Sequence, residues 1–123
     1  MATFTKLALQ PAGTTGDGLG ITVVATVTAG TAIHTASSTP ATIDEIWLYA
    51  VNTHSSAVTL TIEFGGVSVT KDIIQQSIAA TPSGLVLGCA GLVVQGNATA
   101  KVVRAFASTA SKIEIFGFVN RIA

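Results

Sequence analysis

The chain has 123 residues, enough for one domain that buries roughly two-thirds of the surface its unfolded form exposes. The charges of six basic and six acidic residues cancel, and no Lys/Arg cluster interleaves with aromatic residues, so a nucleic-acid partner is not expected. The chain has a single Cys, so neither an internal disulfide nor a zinc-binding domain is expected. Only 10% of the residues are charged, against about 25% in an average soluble domain, and we infer that other protein covers a good part of the surface.

The first twenty residues are predicted to form an arm. A strand over residues 3–9 is followed by "QPAGTTGDGLG" at 10–20, which has no periodicity and is rich in Gly, and a flexible loop is expected there. The chain is therefore divided into an N-terminal strand or arm with its loop (1–20) and a β-sandwich domain (21–123). The apolar run after Lys6 is too short for a signal peptide, and no stretch is typical of a membrane-spanning helix. We expect no membrane partner and no export from the producing cell.

Period-two alternation and many Val, Ile and Thr residues predict strands along the rest of the chain. The predicted strands cover residues 21–28, 32–36, 43–52, 57–64, 67–74, 85–87, 92–95, 101–107 and 112–122. Many short strands with turn signals and no helix predict an all-β fold, an antiparallel β-sandwich of Greek-key or jelly-roll type with about eight to ten short strands.

Glycines and one proline mark the predicted turns. Gly65 and Gly66 are expected to form a two-residue hairpin, because both central positions of such a turn need positive φ. Gly88 and Gly91 are expected to bracket a second tight connection, and residues 81–84, "TPSG", a third.

The single Trp and the single Tyr lie two positions apart on the strand over 43–52. Alternation places Glu45, Trp47 and Tyr49 on one face and Asp44 on the other. Stacked aromatic rings beside a carboxylate are able to bind a sugar, but Trp and Tyr also pack at cores and interfaces, and packing is the favoured interpretation. Since Asp44 and Glu45 project to opposite faces, they do not form the acid and base pair of a glycosidase.

No pattern in the sequence indicates catalysis. His54, Asp44 and a serine would make a triad only if a nucleophile turn such as G-x-S-x-G were present, and it is not. "GDGLG" at 16–20 precedes a predicted strand rather than the helix that a phosphate site requires. Cys89 is interpreted as a small buried hydrophobic residue, and His34 as a strand residue. We predict that the protein is not an enzyme and has no catalytic, cofactor or metal site.

Several segments resemble small all-β virion proteins of tailed bacteriophages. The likeness lies in the strand "DEIWLY", the turn "NTHSSA", "VTLTIEFGG", "VVRAFA" and the closing "GFVNRI", and it covers about the last three-quarters of the chain. The resemblance is to capsid decoration, or cement, proteins. It implies a homotrimer that binds the major capsid protein on the outside of the virion head, made in the cytoplasm of the host bacterium and needing no cofactor.

Six residues are the candidates for contacts in such an assembly. Trp47, Tyr49, Phe116 and Phe118 are the predicted core or subunit-contact anchors, and Arg104 and Arg121 are possible polar clamps. Two alternatives stay open, namely a glycan-binding module of a phage fibre that uses the Trp47 face, and another virion accessory protein of the tail or connector.

Overall fold

A computed structural model describes residues 2–123 of the chain. These residues form nine β-strands and no helix. The strands are β1 (Phe4–Ala8), β2 (Ile21–Val23), β3 (Thr31–Thr35), β4 (Ile43–Asn52), β5 (Val58–Phe64), β6 (Ile73–Ile78), β7 (Val86–Gln95), β8 (Val102–Ala107) and β9 (Ile113–Ile122).

The strands make two sheets that pack face to face. Sheet A has the order β1-β9-β4-β7, with β2 also paired to β9, and sheet B has the order β3-β8-β5-β6. Every pairing is antiparallel. The pairs are nested along the chain: β1 and β2 join β9, β3 joins β8, β4 joins β7, and β5 joins β6. A long hairpin rolled up in this way is a jelly roll, so the predicted antiparallel β-sandwich is confirmed.

The hydrophobic core lies between the two sheets and follows the alternation of the strands. On β4, Ile46 and Leu48 are at most 1% exposed, and they face Leu60 and Ile62 of β5, which are equally buried. The accessible surface is 6242 Å², and because Asp44 and Glu63 are buried it carries ten of the twelve charged residues, about one for every 600 Å². The sparse charge that the composition implies therefore applies to the folded surface.

The connection between β5 and β6 differs from its prediction. The strand predicted over 67–74 is wrong, because β6 begins only at Ile73 and residues 65–72 form a loop. The Phe64 N–H donates to the Asp72 carbonyl (2.8 Å), and the Ser68 N–H donates to the Asp72 carboxylate (3.0 Å). These bonds close a longer loop than the predicted two-residue turn at Gly65 and Gly66.

The two strands predicted over 85–87 and 92–95 are one strand, β7. Gly88 and Gly91 do not bracket a turn, because the pairing of β4 with β7 skips one residue at each of them. Each glycine is the extra residue of a β-bulge, and Gly91 has the positive φ (+70°) that such bulges favour. Residues 81–84 lie in the connection before β7, as predicted.

The strand predicted over 21–28 ends at Val23. The backbone N–H groups of Val24 and Ala25 both donate to the Thr31 hydroxyl (3.1 Å each), so the chain leaves sheet A and turns towards β3. Ordinary ladder bonds are replaced there by bonds to a side chain. Residues 24–30 form a loop across sheet B.

The beginning of the described chain lies against its end. β1 pairs with β9 of the same chain, and Thr3 and Ala123 exchange two backbone hydrogen bonds of 2.7 and 2.9 Å. Residues 10–20 contain no strand. The division into an arm (1–20) and a sandwich domain (21–123) stays a prediction.

Candidate interaction surface

The four aromatic residues predicted as anchors lie together on the outer face of sheet A. On β4 the buried residues Asp44, Ile46, Leu48 and Ala50 alternate with Glu45, Trp47 and Tyr49, which are partly exposed. In the register of β4 with β9, Trp47 is opposite Phe118 and Tyr49 is opposite Phe116. The face predicted for Trp47 is therefore the outer one, away from the core.

An aromatic row crosses sheet A at the level of Trp47. The rings of Trp47 and Phe118 are nearly parallel (9°), with centroids 6.0 Å apart, and Lys6 Nζ lies 4.6 Å from the Phe118 centroid. On the other side, a β-carbon at Gly91 would lie 2.9 Å from Trp47 Cζ2, so the indole rests directly on the glycine. The row thus runs from β7 to β1, and each ring is supported by a neighbour.

The polar atoms beside this row bind one another. The Trp47 Nε1–H donates to Glu45 Oε1 (2.8 Å), and the Asn120 side-chain amide donates to the same oxygen (3.0 Å). These two hydrogen bonds lower the pKa of Glu45. The indole N–H that a sugar would need is already used within the chain, an arrangement that favours packing over glycan recognition.

We call the outward-facing residues of sheet A the A face. Its members by register and alternation are Phe4, Lys6, Ala8, Thr22, Ile43, Glu45, Trp47, Tyr49, Val51, Leu87, Ala90, Val93, Gln95, Glu114, Phe116, Phe118, Asn120 and Ile122. Only Lys6, Glu45 and Glu114 among them are charged. Phe4 is 74% exposed and Val93 is 53% exposed. An antiparallel sheet in water normally has one polar face, so the A face, which is mostly apolar, is a candidate contact surface.

The outer face of sheet B is different. Most of the outward-facing residues on β5, β6 and β8 are polar, namely Thr59, Thr61, Glu63, Gln75, Ser77 and Arg104. Arg104 Nη1 donates to the Gly30 carbonyl (3.4 Å), so this predicted clamp fastens a loop of its own chain. Arg104 lies on the opposite side of the sandwich from the aromatic anchors.

Glu63 is a buried carboxylate under the loop 24–30. Its Oε1 accepts a hydrogen bond from the Gly30 N–H (2.7 Å), and its Oε2 accepts one from the Thr28 hydroxyl. A groove of about 310 Å³ opens beside it between Val27 and Val69. Because both carboxylate oxygens are satisfied, the role that the contacts give Glu63 is to hold the loop against β5.

A network of buried polar groups lies at one end of the sandwich. Arg121 donates to both carboxylate oxygens of Asp44, and His34 Nε2 lies 2.8 Å from Asp44 Oδ2. The Gln10 N–H donates to His34 Nδ1 (3.1 Å), which therefore carries no proton, so the neutral ring donates to Asp44 through Nε2. The second predicted clamp, Arg121, is thus engaged within its own chain.

The charge of Asp44 is stabilised by this network. Burial raises the pKa of Asp44, but the hydrogen bonds from Arg121 and His34 outweigh that effect and hold the pKa at about 2. The same contact raises the pKa of Arg121. The sequence analysis missed the network, although an Asp on the apolar face of β4 was a signal that a cation or donor lay opposite.

The structure does not bring Asp44 and His54 of the considered triad together. Asp44 pairs with His34 rather than with His54, whose backbone N–H donates to the Asn52 side chain (2.8 Å) in a turn. Cys89 is buried, its thiol donates to the Ile46 carbonyl (3.3 Å), and burial raises its pKa. Within residues 2–123 no cluster of three His, Cys, Asp or Glu side chains is placed to hold a metal ion.

Comparisons with known proteins add no family. No protein-family model matches the chain, and neither a curated protein nor a solved structure matches it. A search of the described residues for a helix long and apolar enough to span a membrane found none. The feature of the described residues that bears on function is the A face.

Proposed function

We propose that this protein is a non-enzymatic structural protein of a bacteriophage virion, a capsid decoration or cement protein. In this role it binds the outside of the head and stabilises the contacts between neighbouring coat subunits. The observation that carries the proposal is the A face, a broad, nearly uncharged surface on the outside of a sheet whose inner face is already buried in the core. A surface of this kind is suited to burial against another protein.

The surface chemistry supports the same role. With about one surface charge for every 600 Å² and no net charge, the folded chain has little electrostatic resistance to dense packing beside its own copies. A jelly roll occurs in viral capsid proteins and also in lectins, so the fold agrees with the proposal without selecting it. The internal hydrogen bonds of Trp47, Glu45 and Asn120 favour the structural role over the lectin one.

The mechanism is the addition of buried area across the seams of a shell. A specific contact buries about 1,000 Å² or more, counted over both partners, and many copies on one particle act together. The proposed partners are the major capsid protein and further copies of this chain, which the bacteriophage resemblance implies to be trimeric.

Electron cryo-microscopy of particles that carry the protein tests the location. We expect density for a small β-sandwich on the outer surface of the head, in contact with two or more coat subunits. Density confined to the tail or connector would contradict the decoration role, and so would density within the shell.

Heads lacking the protein test the stabilising role. Adding the purified protein should produce co-sedimentation with the heads and raise the temperature at which they release DNA. As a matched pair, Tyr49→Lys on the A face should reduce this effect, whereas Thr59→Lys on the outer face of sheet B should keep it. Heads with the same release temperature with and without bound protein would remove the cement function.

A further inference from the structure

We propose that the A face pairs with the A face of a second copy, about a two-fold axis that runs along β9. This inference rests on the self-association in the proposed function and names the surface that carries it. It replaces the trimer that the resemblance implies with a pair of copies. The pairing is isologous, since each copy contributes the same patch.

The A face is large enough for a weak specific pair. With strands about 4.8 Å apart and rising about 3.4 Å per residue, the part formed by β1, β2, β9 and β4 has a plan area of about 500 Å². Two such faces bury about 1,000 Å², near the lower end for a biological interface. We therefore expect a dimer that dissociates in the micromolar range rather than an obligate one.

The register of the sheet specifies which residues meet. A two-fold axis parallel to the strands and centred on β9 places β1 of one copy over β4 of the other. Each residue keeps its position along the strand direction, which we call its level. Lys6, Asn120 and Glu45 share one level, since Asn120 is opposite Lys6 on one side and Glu45 on the other. Lys6 of each copy then faces Glu45 of the other, while the two Asn120 side chains face each other.

The charges of Lys6 and Glu45 fit this arrangement. Glu45 Oε1 takes both internal hydrogen bonds, while Oε2 has no hydrogen-bond partner among residues 2–123. Face-to-face sheets lie about 10 Å apart, a gap that a Lys and a Glu reaching from opposite sides can bridge. Each pair of copies gains two such ion pairs at the level of Asn120.

The neighbouring levels fit as well. Ala8, Phe118 and Trp47 share the next level, so the smallest side chain on β1 faces the largest one on β4 of the second copy. An axis along β4 instead would place Glu45 opposite Glu45 and pair it with no Lys. The axis along β9 places Glu114 opposite Glu114 in the same way, but it alone gains the two pairs of Lys6 with Glu45. The pattern therefore selects the axis along β9.

A charge exchange between Lys6 and Glu45 tests the pairing. In sedimentation velocity at concentrations well above the expected dissociation constant, the unaltered protein should show the mass of two chains. Lys6→Glu alone and Glu45→Lys alone should each weaken the dimer at least tenfold, because each homodimer then contains two like-charge pairs. An equimolar mixture of the two variants should recover two-chain particles, since both cross-pairs become Lys with Glu again. Lys71→Glu, in the loop 65–72, should dimerise like the unaltered protein.

Glu45 also accepts the bond from Trp47, so a second variant guards against misfolding. Glu45→Gln keeps an acceptor oxygen and removes only the charge, and it should weaken the dimer several-fold with an unchanged circular dichroism spectrum. The pairing is overturned by a single-chain or three-chain mass, or by folded variants that fail to recover dimers on mixing. A three-chain particle that still binds heads would overturn this pairing and keep the proposed function. A dimer that does not bind heads would overturn the proposed function and keep this pairing.

Discussion

Arg121 donates two hydrogen bonds to Asp44, from Nε to Oδ1 at 2.7 Å and from Nη2 to Oδ2 at 2.9 Å. The two residues are opposite each other on β9 and β4 but 77 positions apart in the chain. His34 of sheet B reaches the same carboxylate, so the contact ties both sheets together at one end of the sandwich.

The Asp44 contact predicts loss of stability in acid. The pKa of Asp44 is about 2 in the folded chain, below its ordinary value of 3.8, so protonation favours unfolding. The stabilisation is complete above about pH 4 and declines as the pH falls to about 2, by about 2 kcal/mol in total. Urea unfolding between pH 6 and pH 2 measures this change.

Arg121→Gln provides the control for that experiment. Without the guanidinium, burial pushes the pKa of Asp44 back towards or above its ordinary value, and the acid-dependent loss from this group should shrink. Asp17→Asn, on the exposed loop 10–20, should keep the full pH dependence. Equal pH profiles for the unaltered protein and Arg121→Gln would show that the ion pair does not control acid stability.

The His34 ring should be neutral with its proton on Nε2, because the Gln10 N–H needs a free Nδ1. Nitrogen-15 NMR of the ring at neutral pH identifies the tautomer. His34→Ala leaves the Gln10 N–H without its acceptor and opens a cavity, at an expected cost of about 2–4 kcal/mol. His54→Ala, in a turn, should cost less than about 0.5 kcal/mol. A proton on Nδ1 would contradict the network.

Gly91 and Gly84 form a matched pair of glycines with positive φ, +70° and +64°. An alanine at 84 meets nothing within 4 Å, so Gly84→Ala should cost about 1 kcal/mol from backbone strain alone. An alanine at 91 also meets the Trp47 indole at 2.9 Å, and about 2–3 kcal/mol is expected. Fluorescence of the single Trp should change only for Gly91→Ala. Equal costs and spectra would mean that the indole does not rest on Gly91.

Glu63 should hold the loop 24–30 in place. Glu63→Ala removes the acceptors of the Gly30 N–H and the Thr28 hydroxyl, at an expected cost of about 2–4 kcal/mol. Thr59→Ala, exposed on the same face of β5, should cost less than about 0.5 kcal/mol. Amide hydrogen exchange should accelerate at Gly30 in the Glu63 variant. Unchanged protection at Gly30 would contradict the role of the carboxylate.

The alternation of apolar and polar residues was sufficient to predict most of the strands. It failed where hydrogen bonds to side chains replace the backbone hydrogen bonds between strands. The alternation of β4, β5, β8 and β9 gave their bounds to within one residue and placed Trp47 opposite the face of Asp44. Glycine was ambiguous, since positive φ serves both a hairpin turn and a bulge, and Gly91 is in a bulge. The sequence spacing does not distinguish them, because the choice depends on pairing with β4.

The contacts across the sandwich were not predictable from spacing. Asp44, His34 and Arg121 meet only because the jelly roll places β4 beside β9 in one sheet and β3 in the other. The loop 24–30 that covers Glu63 on the outer side of β5 was not predicted either. The A face forms only when several strands lie side by side. Each strand alone has a mixture of apolar and polar residues that does not indicate such a surface.

The reciprocal bonds between Thr3 and Ala123 place the two ends of the described chain side by side. A linker of a few residues would therefore close the backbone into a circle, and new ends opened at an exposed loop, such as 97–100, should leave every strand in its sheet. A circular permutant of this kind should have the same circular dichroism spectrum as the original chain. A fluorescent reporter attached beside Thr3 or beside Ala123 would occupy almost the same position on the folded domain.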